Sequence, residues 1–415
     1  MGIIELVIVL YNRTHTQMAD EFHEVSKKLT KEIPLVERKT QGIYFTPKSI
    51  RARVLEIIDG YHRPVKILEP SFGSGEFLMD GRVRWPGAEI TGVEKNEHIY
   101  EYIHTKMPDI SLYNMDFLEF PKENRYDTII GNPPFFVIKP APVKEPALSL
   151  YKESSSGRCN IFVLFLYKCL RYHLAPGGVL GLVLPTSIYN CSYYDKCRKY
   201  ISHECTILHT EKQRGKFMGT TQDTCILVIQ KIKKDQRYIV PIGGRHLIIP
   251  EYETIQKILL RPHTTIHELG GHVQTGAIVW NQVKPTLVDE ESSDTAPLIY
   301  DHSITDMGLD LTIGSKNNQK KRFVNIMRAT SKPLDCESIV IRRGYGNTFK
   351  FRYAMAPPGV YGENHVNMVT GHPDKLRQIY TSLGDTDTIL FGKIVFGNGS
   401  ISKSELEHVL PIFVG

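Results

Sequence analysis

The stretch Ile67–Leu78, ILEPSFGSGEFL, runs an apolar segment into an acidic residue and a proline, passes through glycines at 73 and 75, and returns to apolar periodicity. A buried strand that breaks into a glycine turn and then a helix is the opening of a nucleotide-type α/β unit. Glycine lets the backbone turn tightly and lets a ligand approach the carboxyl end of the strand. The third glycine of the dinucleotide fingerprint is absent from its required place, which disfavours a pyrophosphate and favours another adenosine-bearing cofactor.

The same grammar continues outward. VKILEP, AEITGVE, YDTIIGNPP, GGVLGLVLPTS and TCILVIQK are short apolar runs between Lys66 and Lys231 that read as buried strands. Ser49–Asp59, Asn96–Met107 and Asn160–His173 carry apolar residues at three and four spacing, as crossover helices do. The implied fold class is α/β, a doubly wound Rossmann-like sheet. Beyond the charged connector KIKKDQR, short strand-like runs alternate with Gly, Pro, Asn and Asp turns. The expected organisation is an N-terminal extension over 1–40, a cofactor-binding domain over 41–240 and a mixed α+β domain over 241–415.

Glu94 stands 25 residues after Glu69, at the end of the next strand, where a carboxylate can accept both hydroxyls of a ribose. Asp116, in NMDFLEF, closes the third strand and is placed to accept from an adenine amino group. Each of these carboxylates alone would more often be a helix cap or a surface residue. Acidic residues at three successive strand ends point to a ligand.

Composition sets the outer bounds. With 415 residues the chain has room for two or three domains. Hydrophobic residues make up 41% and charged residues 23%, and no apolar run is long enough to span a bilayer. The segment Ile3–Leu10, IIELVIVL, is too short for that role and carries Glu5. Seven cysteines without a CxxC pair imply a reducing compartment and no structural zinc. The expected location is the cytoplasm or the DNA-containing compartment of the host cell, with no membrane attachment.

The net charge of +6 is modest, but its distribution is not even. Residues 285–315 hold seven carboxylates and no Lys or Arg, whereas 316–352 hold ten basic residues against two acidic ones, with Phe323, Tyr345, Phe349 and Phe351 interleaved. A basic, aromatic strip suits a phosphate backbone, although a charge cluster taken alone can be a solvated face. Lys316, Lys320, Lys321, Arg322, Arg342 and Arg343 are the candidate DNA contacts, and the acidic tract is expected to face away from DNA.

Taken in order, GIYFTPKSI (42–50), EPSFGSG (69–75), Glu94, Asp116–Phe117, GNPPF (131–135) and the helix and strand of 160–187 resemble the gamma-class, TaqI-like adenine-N6 DNA methyltransferases, which use S-adenosylmethionine. The resemblance implies that Thr46 and Pro47 lie near the methionine end of the cofactor. It implies that Glu69, Pro70, Phe72, Gly73 and Gly75 form its glycine turn, Glu94 its ribose carboxylate, and Asp116 and Phe117 its adenine contacts. GGHVQTGAIVWNQVK, PLIYDHSI, VYGENHVNMVT and GNGSISKSELEHVLPI resemble pieces of the family's target-recognition domain, so the third segment is expected to read duplex DNA.

The catalytic motif then has a physical meaning. The amino group of adenine is a poor nucleophile because its lone pair is delocalised into the ring. The side-chain oxygen of Asn132 and the carbonyl of Pro133, held rigid with Pro134, can each take one N6 hydrogen and localise that pair. No Asp or His general base is expected. A base inside a duplex cannot reach such a site, so it must rotate out and stack, the role implied for Phe135 and, with Phe136 and Phe165 as rivals, for Phe217.

Three alternatives compete. NPPF chemistry also serves cytosine N4, RNA bases and glutamine amides of proteins, and a second rival is a non-catalytic DNA-binding specificity module. Gly131–Asn132, rather than a serine there, favours adenine by resemblance, and intact cofactor and catalytic motifs disfavour a binding-only module. Motif-like residues beginning at Gly42 leave no room for a fused nuclease. The expectation is therefore a monomeric modification enzyme of a restriction–modification system, or an orphan, needing no metal and with any cognate endonuclease acting separately.

Overall fold

The computed structural model describes residues 22–138, 144–213, 223–312, 320–344, 350–396 and 400–413. They divide into two compact units, one reaching Val240 and including Arg245–Pro250, the other comprising Pro241–Gly244 and the residues from Glu251 onward. Among the described residues no helix is long and apolar enough to cross a membrane.

The first unit is built on a seven-stranded sheet: β1 (Lys66–Glu69), β2 (Glu89–Glu94), β3 (Ser111–Asn114), β4 (Tyr126–Gly131), β5 (Leu174–Pro185), β6 (Thr206–Gln213) and β7 (Thr224–Gln230), in the order β3-β2-β1-β4-β5-β7-β6. β7 runs antiparallel to both β5 and β6, and the remaining pairs are parallel. Leu68 is in register with Thr91 on one side and Ile129 on the other, so β1 and β4 meet at the point where the chain reverses its direction of travel across the sheet. Open α/β sheets bind ligands at the carboxyl ends of such strands.

Period-two alternation sends the strands' side chains to two separate cores. Leu68, Ile129, Leu180, Leu182, Leu184, Leu227 and Ile229 join one apolar cluster. Ile67, Ile130, Val179, Val183, Ile226 and Val228 join the other. The first is covered by α7 (Ile161–Lys168), all eight of whose residues are buried. A helix apolar on every side is one with no solvent face, and this one runs on through a π turn over Cys169–His173. The opposite face is covered by α3 (Lys48–Asp59), α4 (Glu76–Arg84) and α5 (Glu97–His104).

The strands and helices anticipated from periodicity all form, with boundaries shifted by a few residues. β6 was not anticipated, because its sequence TILHTEKQ is only half buried at the sheet edge and mixes charges into the apolar positions. The part of the N-terminal extension that is described is not an appendage. α1 (Glu24–Glu32) and α2 (Leu35–Gln41) belong to this unit, and Val25, Leu29 and Ile33 sit in its second core. Two further helices, α6 (Ala147–Ser154) and α8 (Asp195–Glu204), complete it.

The second unit is mixed α+β, as expected. β8 (His272–Thr275), β15 (Val366–Thr370), β12 (Ser338–Arg342) and β13 (Tyr353–Ala356) form an antiparallel sheet in that order. A second sheet runs β9 (Leu287–Val288), β11 (Phe323–Asn325), β10 (Thr295–Ile299) and β14 (Tyr361–Gly362). Helices α9 (Tyr252–Leu259), α10 (Pro373–Leu383), α11 (Thr386–Val395) and α12 (Lys403–His408) accompany them.

Gly92 in β2 shows how tightly the sheet packs beneath the glycine turn. A Cβ there would lie 2.8 Å from Leu112 Cδ2, 2.8 Å from Phe72 Cδ1 and 3.2 Å from Leu78 Cδ1. Gly92→Val is expected to destabilise the fold by about 1–3 kcal/mol in denaturant titrations, through overpacking that displaces Phe72.

Candidate cofactor and active site

At the end of β1 the chain enters Pro70–Gly75, where Gly73 has φ 50° and Gly75, the N-cap of α4, has φ 71°. The turn is pinned from the neighbouring strand: Phe72 N donates to Val93 O at 3.1 Å and Gly73 N to Glu94 Oε2 at 3.0 Å. Glu94 takes a second amide, Asn96 N, on Oε1 at 2.8 Å. Burial still holds its carboxyl above the ordinary range, with those amides opposing the rise. Asp116 both caps the following turn, accepting from Leu118 N at 2.9 Å, and pairs with Lys95 Nζ at 2.8 Å. For these carboxylates the cap and the ligand reading are compatible, because each oxygen has a second lone pair.

These elements surround a cavity of about 1030 Å³, a figure that includes space open to solvent. Of the anticipated cofactor residues, Thr46, Glu69, Pro70, Phe72, Gly73, Glu94, Asp116 and Phe117 line it, and so do Asn132 and Pro134 of the motif. Pro47 and Gly75 do not. They stand just behind the wall as the N-caps of α3 and α4.

Glu69 is 2% exposed, and its Oε2 has no hydrogen-bond partner. Burial first, and the nearby charge of Glu94 second, push its carboxyl well above the ordinary range. A desolvated carboxylate on a cavity wall, with a lone pair left unused, is suited to a cation. S-adenosylmethionine carries two, its ammonium and its sulfonium, so the donor set fits that cofactor.

β4 delivers the motif. Gly131 has φ 150°, a backbone conformation that side-chain-bearing residues rarely adopt, and it lies against β1, where a Cβ would be in van der Waals contact with Glu69 Cγ at 3.4 Å and Pro70 Cδ at 3.5 Å. Asn132 follows. Its Nδ2 donates to Tyr44 O at 2.9 Å, which orients the amide, and its Oδ1 is buried without a partner. The motif's aromatics divide: Phe135 is 8% exposed and packs edge-on against Phe162 with ring centroids 6.1 Å apart, whereas Phe136 lies on the cavity wall. Phe217 and Lys316 lie outside the described residues.

Several wall residues escaped the sequence reading. Thr40 and Gln41 line the cavity from the end of α2, and Glu37 and Gln41 accept from Asn96 Nδ2 at 3.0 and 3.1 Å. Arg51, 4% exposed, ties Thr46 O (2.5 Å), Glu76 Oε2 (2.8 Å) and Asp80 Oδ2 (2.7 Å) together. Ser26 of α1 donates to Glu76 Oε1 at 2.8 Å. The only local signal was an arginine inside an apolar helical stripe, ambiguous until its partners are seen.

In the second unit the acidic tract and the basic strip are not segregated. Lys321 pairs with Asp289 at 3.4 Å, Arg342 with Asp301 at 3.2 Å, and Asp306 with both Lys350 at 3.1 Å and Arg352 at 3.2 Å. Carboxylates of the acidic tract thus pair with cations of the basic strip that lie tens of residues further along the chain. Lys320 Nζ stands 4.8 Å from the Tyr300 ring centroid and 5.7 Å from that of Trp280, and Arg322 lies over the Phe323 ring at 5.5 Å. Arg343 Nη1 donates to Asn364 O at 2.8 Å. Elsewhere in this unit His267, Glu407 and His408 bring three potential metal-ligand atoms within 4.8 Å of one another, and the carboxylate already accepts from Val273 N at 3.2 Å.

Comparison with known proteins follows this geometry. Residues 88–212 match the family model described as Eco57I restriction-modification methylase. The Type II methyltransferase M.CvrRI of Paramecium bursaria Chlorella virus XZ-6E is 30% identical over 398 residues, covering 94% of this chain and 99% of the relative. Modification methylase CviBIII of Paramecium bursaria Chlorella virus NC1A is 32% identical over 228 residues, 54% of this chain and 57% of the relative. Among solved structures, the Type IIL restriction-modification enzyme MmeI in complex with DNA superposes with a TM-score of 0.51 at 12% identity, covering 92% of this chain and 68% of that one, a likeness of fold.

The raised carboxyl of Glu69 makes a two-sided prediction. A folded-state pKa above the unfolded value contributes stability at low pH that is lost as pH rises through the folded value. Glu69→Gln should therefore raise the melting temperature of the cofactor-free protein at neutral pH, with a smaller gain near pH 4.5. Calorimetric titration should show S-adenosylmethionine binding weakened by about tenfold or more.

Proposed function

Because the chain belongs to the Type II methyltransferases, S-adenosylmethionine-dependent DNA methyltransferases of restriction–modification systems, we propose that it methylates N6 of an adenine rotated out of duplex DNA. The observation that carries the adenine assignment is Asn132 Oδ1, a buried acceptor with no donor, beside the glycine turn and Glu69. An unmade hydrogen bond of that kind costs about 1–3 kcal/mol, and an amino group entering the cavity would recover it.

S-adenosylmethionine supplies an electrophilic methyl carbon. The protein's own part is geometric. Asn132 Oδ1 accepts one N6 hydrogen and the Pro133 carbonyl the other, so that the nitrogen turns pyramidal and its lone pair points into the cavity. Glu94 and Asp116 hold the ribose and adenine of the cofactor, and Glu69 neutralises its positive charge. The methylated nitrogen sheds its proton to solvent without a dedicated base. Phe135 by motif position and Phe136 by its place on the wall are the rings against which the extruded base stacks.

The second unit serves as the target-recognition domain in this reading. Lys320, Lys321, Arg322, Arg342 and Arg343 contact phosphates, and polar side chains around them read base edges. The partly paired state of Lys321 and Arg342 supports a strip whose carboxylates give way to phosphates on binding. The enzyme acts as a monomer without a metal, and any cognate endonuclease acts separately.

Tritiated S-adenosylmethionine incubated with unmethylated duplex DNA, tRNA, rRNA or protein, followed by digestion, tests the assignment: label is expected in N6-methyladenine of DNA, and label confined to RNA or protein contradicts it. Asn132→Ala should lower kcat by at least about 100-fold while leaving the cofactor dissociation constant unchanged. Replacing Lys320, Lys321 and Arg322 together by Ala should flatten the dependence of log DNA affinity on log salt by about 2–3 units of slope.

A further inference from the structure

Lys168, at the end of α7, is 1% exposed and forms no ion pair among the described residues. Its Nζ instead donates to three main-chain carbonyls, Phe117 O at 2.6 Å, Leu118 O at 2.9 Å and Phe120 O at 2.7 Å. It also stands 5.0 Å from the centroid of the Phe117 ring. An ammonium has three donors and no acceptor, so the match is complete. Lysines are almost never fully buried without a carboxylate partner, and an apolar residue of similar volume would fill the space at less cost in desolvation.

The segment it holds is the short 3-10 turn Phe117–Glu119, whose N-cap is Asp116. Asp116 and Phe117 both line the cofactor cavity. We propose that Lys168 is a positioning residue, its ammonium fixing the turn after β3 in the shape that presents Asp116 and Phe117 to the adenine ring of the cofactor. The proposal rests on the cofactor reading given above.

Charge governs how this clamp behaves. Burial lowers the Lys168 pKa to about 8, with Lys122 pushing the same way and Cys169, Asp116 and Glu119 opposing. The other buried groups beside it do not titrate in that range: burial takes His173 down to about 4 and raises the Cys169 thiol. A neutral amine has only two donors, so one carbonyl of the turn loses its partner as pH rises through about 8.

The test uses the full chain as wild type, Lys168→Met, Asp116→Ala and the double variant, titrated calorimetrically with S-adenosylhomocysteine after each is shown to melt cooperatively. Lys168→Met should weaken binding about tenfold, with a combined effect clearly smaller than the product of the single effects, while kcat at saturating cofactor stays within about twofold. Unchanged affinity, or fully independent effects of the two substitutions, overturns the proposal. If Lys168→Met does not fold, wild-type affinity for 5′-methylthioadenosine, which has no group titrating in this window, is followed from pH 7 to 9.5. A loss of affinity centred near 8 supports the clamp and a flat profile overturns it. Failure of the wild type to bind S-adenosylhomocysteine at all would overturn the cofactor reading itself.

Discussion

Two buried oxygens without donors, Asn132 Oδ1 and Glu69 Oε2, belong to residues that line one cavity at the carboxyl ends of adjacent strands. A folded protein tolerates such atoms rarely, because each forfeits about 1–3 kcal/mol that a partner would return. Much of the first unit is arranged so that they stay where they are. Gly131 supplies the positive φ with which β4 enters the motif, and Tyr44 O fixes the amide of Asn132 through its Nδ2. Arg51 locks Thr46 to α4, and Lys168 holds the turn after β3. The cost falls in the ligand-free state, and under the proposed function a cation and an amino group would remove it.

The helices ahead of β1 take part in the same arrangement. α2 ends in the cavity wall, and its Glu37 and Gln41 reach Asn96, whose main chain holds Glu94. A contact near residue 40 therefore reaches the Glu94 carboxylate through two hydrogen bonds. A network of this kind is stiff, and stiffness is what a methyl transfer that depends on positioning needs.

How much of this was legible in the sequence follows from the range of the forces involved. Strands β1, β2, β4, β5 and β7 are readable because each is buried on both faces, and a continuous apolar run has few other homes. The glycine turn and GNPPF are readable because backbone geometry restricts the residue types that can occupy them. Arg51, Lys168 and the α2 contacts were not readable, since their partners lie 29, 51 and 59 residues away and no local pattern reports such distances. The ion pairs within 285–352 were hidden for the same reason. Composition showed an acidic block and a basic block, but Asp301 with Arg342 and Asp306 with Arg352 pair across some forty residues of chain.

The central claim is spatial, and a structure of the ternary complex tests it most directly. The full chain, bound to a non-reactive S-adenosylmethionine analogue such as sinefungin and to duplex DNA containing its methylation site, is predicted to hold an extruded adenine. Its N6 should lie within about 3.2 Å of both Asn132 Oδ1 and the Pro133 carbonyl. An adenine left stacked in the duplex, or a different atom against Asn132 Oδ1, would contradict the account.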